Sequence, residues 1–69
     1  MSDHIYRVTE IVGTSDESVA QAIKNGVARV STTVRNVEWF EVIETRGAVS
    51  DKGDITFQVS LKVGFRLEG

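Results

Sequence analysis

Cysteine and proline are both absent from this chain, and histidine and tryptophan occur once each. Without cysteine there is neither a disulfide nor a thiolate metal site, and His4 alone cannot assemble a metal cluster. Without proline or any low-complexity stretch, no linker is marked, so residues 1–69 read as one domain. Charge of neither sign dominates: 8 basic residues stand against 10 acidic ones, a net −2. That balance argues against an electrostatic nucleic-acid binder, which carries a basic excess. No apolar run approaches the ~18 residues of a membrane span, and the N-terminal stretch lacks the apolar core of a signal peptide. A soluble, cytoplasmic protein is expected.

Size then poses a problem. A chain of 69 residues buries only roughly 60% of its unfolded surface, and one core of this size rarely contributes more than about 3–5 kcal/mol. Small domains compensate with disulfides, metals or association. With the first two missing, association is the remaining route.

The pattern along the chain gives the elements. Ile5 to Val12 is rich in β-branched residues and reads as a strand closed by Gly13. Thr14 and Glu17 have capping-box spacing, and Asp16 and Glu17 would face the positive end of a helix dipole. Val19, Ile23, Val27, Val30 and Val34 then form one apolar stripe of helical period. Gly26 inside that stripe costs about 1 kcal/mol against alanine and points to a close approach of helix to sheet. A second strand is expected over Val37–Val49, a turn over Ser50–Gly53 and a third strand over Ile55–Leu67. In the third strand Ile55, Phe57, Val59, Leu61, Val63, Phe65 and Leu67 point one way, while polar residues and Gly64 point the other. The fold class is therefore α+β, in the order β-α-β-β: a three-stranded antiparallel sheet, third strand central, with one long helix on one face.

A four-residue turn pairing Val49 with Asp54 sets a register for the hairpin. Phe40 then opposes Val63, Val42 opposes Leu61, Glu41 opposes Lys62, Trp39 opposes Gly64 and Thr45 opposes Gln58. With Phe40 and Val42 turned to the helix, Trp39 lies on the opposite face among polar groups. A large flat ring there needs a partner subunit or a flat ligand to cover it, and the pattern alone does not choose between them. Two open strand edges also call for further copies of the chain.

Conventional catalytic machinery is missing. No nucleophile, base and orienting group can be assembled. Glu38, Glu41 and Glu44 offer carboxylates, but Glu41 is placed to pair with Lys62, and glutamates on exposed strands are ordinarily solvated. Gly13-Thr14-Ser15 lacks the lysine or further glycines of a phosphate loop. Arg46 and Arg66 have the planar fork that suits phosphate, although a lone arginine more commonly serves a salt bridge.

Taken together, several runs closely resemble the dodecins. They are Gly13-Thr14-Ser15, Trp39-Phe40-Glu41-Val42 with Glu44-x-Arg46-Gly47, and Gln58-Val59 leading to Lys62-Val63-Gly64-Phe65-Arg66-Leu67. The similarity extends from Tyr6 to Glu68 and includes length and element order. Dodecins are small flavin-binding proteins that form hollow homododecamers and act in flavin storage or buffering rather than turnover. The resemblance implies that Trp39 is the stacking tryptophan and Gln58 the glutamine that hydrogen-bonds the isoalloxazine edge. Arg46 matches an arginine of bacterial members linked to phosphate-bearing ligands, and Arg66 one associated with coenzyme A. Glu44 stands where archaeal members carry an acidic residue near the ribityl chain. The bacterial pattern favours FMN over riboflavin. Two rival readings remain beside this one: a flavin-dependent oxidoreductase, and a purely structural homo-oligomeric shell.

Overall fold

Residues 3–68 are described by a computed structural model, with β1 at Tyr6–Ser15, α1 at Val19–Ser31, β2 at Val37–Val49 and β3 at Ile55–Arg66. The sheet order is β1-β3-β2, with β3 antiparallel to both neighbours. This is the expected α+β arrangement. The alternation of β3 decides its centre: Val59, Leu61 and Val63 are fully buried beneath the helix, where Ala22 and Val30 complete the core. Ile11 of β1 and Val19, Ile23 and Val27 of α1 pack around them.

Two glycines let helix and sheet meet. A Cβ on Gly26 would stand 3.2 Å from Ile11 Cδ1 and 3.3 Å from Leu61 Cδ1, so the close approach expected there is present. Gly13 is tighter. A Cβ there would lie 3.1 Å from the carbonyl carbon of Ala22 and closer still to its oxygen. Gly13 therefore marks a crossing point of strand and helix, and β1 continues past it to Ser15 instead of ending at Val12.

The helix ends differ from expectation. Ser18, not Thr14, is the N-cap, its Oγ accepting a 2.9 Å hydrogen bond from the Gln21 amide. Thr14 and Ser15 belong to the strand, and Ser15 Oγ accepts from the Glu17 amide. Asp16 and Glu17 precede the cap, so the first turn contains no acidic residue. At the other end the last turn stops at Ser31. Thr32 and Thr33 bond back to the carbonyls of Arg29 and Val30 through both their amides and their hydroxyls. Hydroxyls that compete for helix carbonyls weaken continuation. Asn36, at φ 65°, then reverses the chain in the left-handed region that asparagine tolerates. Val34 still packs against the core, from beyond the helix.

The β2–β3 register is correct in its middle and shifted at the turn. Trp39 faces Gly64, Phe40 faces Val63, Glu41 faces Lys62 and Val42 faces Leu61, as expected. Val49, however, pairs with Ile55 rather than Asp54, because Ser50 donates its amide to the Asp54 carbonyl and lengthens the loop. A bulge between Val42 and Glu44 absorbs the difference, and a second lies between Val37 and Trp39. Thr45 consequently faces Val59, and Arg46 faces Gln58. Leu67 lies just beyond β3, its amide donating to the Ile5 carbonyl.

The helix rests on β1 and β3 and barely reaches β2. Phe40 and Val42 do lie on the helix side of the sheet, but they stay 48% and 42% exposed. Val8, Val12, Ile43 and Val49 are exposed as well. The described chain measures 55 × 20 × 14 Å, with a radius of gyration of 14.3 Å, against about 11 Å for a compact chain of this length. One protomer is a thin slab with apolar surface left over.

Candidate functional site

The sheet face turned away from the helix is built as cross-strand rows, because directly opposed residues share a face. Even-numbered residues of β3 point to it, and their partners on both sides follow. One row runs Val8–Gly64–Trp39, the next Glu10–Lys62–Glu41, then Val12–Ser60–Glu44, then Thr14–Gln58–Arg46. Tyr6 and Arg66 close the face beyond Trp39.

Trp39 is 39% exposed and lies directly on Gly64. A Cβ at position 64 would stand 2.6 Å from Cδ2 of the indole and closer to Cε2 and Cζ2. The missing side chain is thus what lets the ring occupy the space over Gly64. The ring of Tyr6 meets it edge to face, with centroids 6.3 Å apart and planes at 62°. This geometry suits the quadrupoles of two aromatic rings.

Glu38 organises this end. It accepts the Tyr6 hydroxyl at Oε1 (2.8 Å) and pairs with Arg66 Nη1 through Oε2 at 3.2 Å. Accepting that hydrogen bond stabilises the protonated phenol, so the carboxylate of Glu38 holds Tyr6 above its usual pKa. Partial desolvation and the negative charge of Glu38 act in the same direction, and Arg66 opposes them. Sequence reasoning weighed Glu38 only as a spare carboxylate and did not single out Tyr6. The cause is the bulge before Trp39, which adds a residue to β2 beside the ring and which no residue pattern signals.

The other end carries Gln58. Arg46 Nε donates to Gln58 Oε1 at 2.8 Å, and among the described residues nothing engages the Nη groups of Arg46 or the amide nitrogen of Gln58. Glu44 lies opposite Ser60, in the row beside this pair. Glu41 lies opposite Lys62, but no ion pair joins them.

The five candidate residues therefore fall into two groups within one chain. Trp39 and Arg66 stand at one end of the face, Arg46, Gln58 and Glu44 toward the other. From Gly64, which carries Trp39, to Gln58 is six positions of β3, about 20 Å at roughly 3.3 Å per residue. Among the described residues no three histidines, aspartates or glutamates are grouped so as to hold a metal ion. Among the described residues no helix is long and apolar enough to cross a membrane.

Comparison with known proteins gives a consistent result. A family model described as Dodecin matches residues 5–68. A dodecin from Thermus thermophilus is 47% identical over 64 residues, which is 93% of either chain. The solved structure of a dodecin from Streptomyces davaonensis superposes with a TM-score of 0.92 at 56% identity, covering 99% of this chain and 100% of that one. A calcium dodecin from Mycobacterium tuberculosis is 36% identical over 63 residues, 91% of this chain and 89% of that protein.

Proposed function

Because this chain belongs to the dodecin family, whose members are in general small homo-oligomeric flavin-binding proteins rather than enzymes, we propose that it holds FMN or riboflavin. Storage, buffering or sequestration in the cytoplasm is the purpose, and a hollow homododecamer is the form. The observation that carries this reading is Trp39: an indole in contact with Gly64, 39% exposed, on the sheet face that the helix leaves open.

The residues present fit such a ligand. An indole is a good surface for a flat, electron-poor ring system, worth on the order of 1 kcal/mol beyond area burial. Gln58 has an unengaged amide nitrogen for the polar edge of that ring system. The Nη groups of Arg46 are available to a phosphate, whereas Arg66 must exchange Glu38 for the phosphate of FMN or coenzyme A. Glu44, one row from Gln58, would accept from ribityl hydroxyls. A bound flavin would supply redox and photochemistry, and a tryptophan against it can quench the excited state by electron transfer. The chain's own part is to stack, to hydrogen-bond and to exclude water.

Assembly is part of this reading. An isoalloxazine is about 10 Å long, half the roughly 20 Å between Trp39 and Gln58 of one chain. We therefore take the two side chains at a given ligand from different protomers. The apolar surface of Phe40, Val42 and Val8 would be covered in the same assembly. Light scattering should give a mass many times 7.6 kDa and a melting temperature that rises with concentration. A lone 7.6 kDa species with concentration-independent melting overturns the assembly.

The direct test of function is a fluorescence titration of FMN and riboflavin, with the absorption spectrum of the protein as purified and mass spectrometry of any released ligand. Saturable quenching is expected. A colourless protein that leaves flavin fluorescence unchanged would favour the structural shell. Steady-state turnover of NAD(P)H with a dye acceptor would favour the oxidoreductase.

A further inference from the structure

Arg46 and Gln58 are partners on the open sheet face. The two residues face each other across β2 and β3, and Arg46 Nε donates to Gln58 Oε1 at 2.8 Å. A guanidinium has donors only, so the atom it meets on the amide must be the oxygen. The contact thereby settles a choice that a free glutamine leaves open, namely which side of the amide carries the acceptor and which the two N–H donors. Strict alternation along β2 would not bring the pair together. Counted forward from Trp39, Arg46 would fall on the helix side of the sheet. The extra residue between Val42 and Glu44 turns it to the open face, the re-aiming effect of a β-bulge.

We propose that Arg46 is a positioning residue for Gln58: it locks the amide with its oxygen toward β2 and its N–H donors outward. The order of donor and acceptor that Gln58 presents is then set before the ligand arrives, and a ligand edge with an acceptor at the outward position is selected. This inference rests on the flavin reading above and makes a demand that the reading alone does not. Arg46 must matter to a ligand that has no phosphate.

Riboflavin and FMN titrations of the assembled protein, Arg46→Ala, Gln58→Ala and the double variant decide the matter. With the lock, Arg46→Ala weakens riboflavin by about 3–10-fold, the size of one net hydrogen bond, and weakens FMN by more. In the Gln58→Ala background the same substitution leaves riboflavin affinity unchanged, because there is no amide left to orient. A loss confined to FMN would make Arg46 a phosphate reader only and overturn the inference while sparing the flavin reading. Additive riboflavin losses in the double variant would overturn it as well, since Arg46 would then contact the ligand itself. Failure of the unsubstituted protein to bind either flavin overturns both readings. A scattering measurement on each variant separates these outcomes from loss of assembly.

Discussion

The two ends of the open sheet face reach their polar and aromatic groups by different means. At the Trp39 end the chemistry comes from packing: an indole on a glycine, a tyrosine edge against the indole, and one carboxylate joining Tyr6 to Arg66. At the Gln58 end it comes from register, since only the bulge at Ile43 sets Arg46 opposite Gln58. The first end is tied together by side chains from all three strands. The second is a single exposed hydrogen bond between neighbours. The first end is therefore the more firmly fixed, and the proposed shared site would take a preformed platform from one protomer and a more adjustable polar edge from another.

The sharpest way to break this comparison is through phosphate. Arg66→Ala should cost FMN about 1.5–3 kcal/mol, the range of a charge-assisted hydrogen bond, and leave riboflavin unaffected. Arg46→Ala should affect both flavins. If both arginines spare riboflavin, the two ends do not differ in the way described. Next in size, Trp39→Ala should weaken FMN by about 1–3 kcal/mol and leave the bound fraction less quenched. Trp39→Ala protomers refolded together with Gln58→Ala protomers should regain partial affinity, because some sites then combine an intact tryptophan with an intact glutamine. Recovery no better than the mean of the two variants argues against a shared site.

Gly64→Ala tests the platform itself. The added Cβ cannot coexist with the indole where it lies, so the ring must tilt or lift, at a cost of about 1–3 kcal/mol of overpacking. The emission of the single tryptophan should shift, and FMN affinity should fall while the fold persists. An unchanged spectrum would show that the ring does not rest on Gly64.

The smallest effect concerns Tyr6. Its pKa is raised in the folded state by the hydrogen bond to Glu38. That contribution to stability is fully present below the ordinary tyrosine value of about 10 and is lost as pH rises through the higher folded-state value. Tyr6 is the one tyrosine in the chain, so tyrosinate absorbance reports it alone. Glu38→Gln should lower the midpoint of that titration. A midpoint that does not move would show that the bond is not formed in solution.

Much of this was legible in the residues. The alternation Val59, Leu61, Val63 identified β3 as the central strand, and a slip of one position would have exposed it. The same alternation placed Trp39 over Gly64, since both positions lie on the regular stretch between the two bulges. Gly26 announced a close helix contact because an unfavourable helix residue needs a steric reason. The helix start was not legible: Thr14 has capping-box spacing with Glu17, but with Gly13 crossing against Ala22 β1 stays extended through Thr14 and the cap falls on Ser18.

What the sequence by itself determined, then, is which elements form, which strand is central and which face holds the tryptophan. All three follow from hydrophobic period, a local property of the chain. The tertiary structure alone decided the pairing of Arg46 with Gln58 and the joining of Tyr6, Glu38 and Arg66 beside Trp39. These depend on where β2 takes in an extra residue. A bulge changes the side-chain facing of everything beyond it, yet it has no composition of its own to be read. Its position is settled by the loop hydrogen bond from Ser50 to Asp54 at one end of the hairpin and by the fit of Phe40 and Val42 against Val63 and Leu61 at the other.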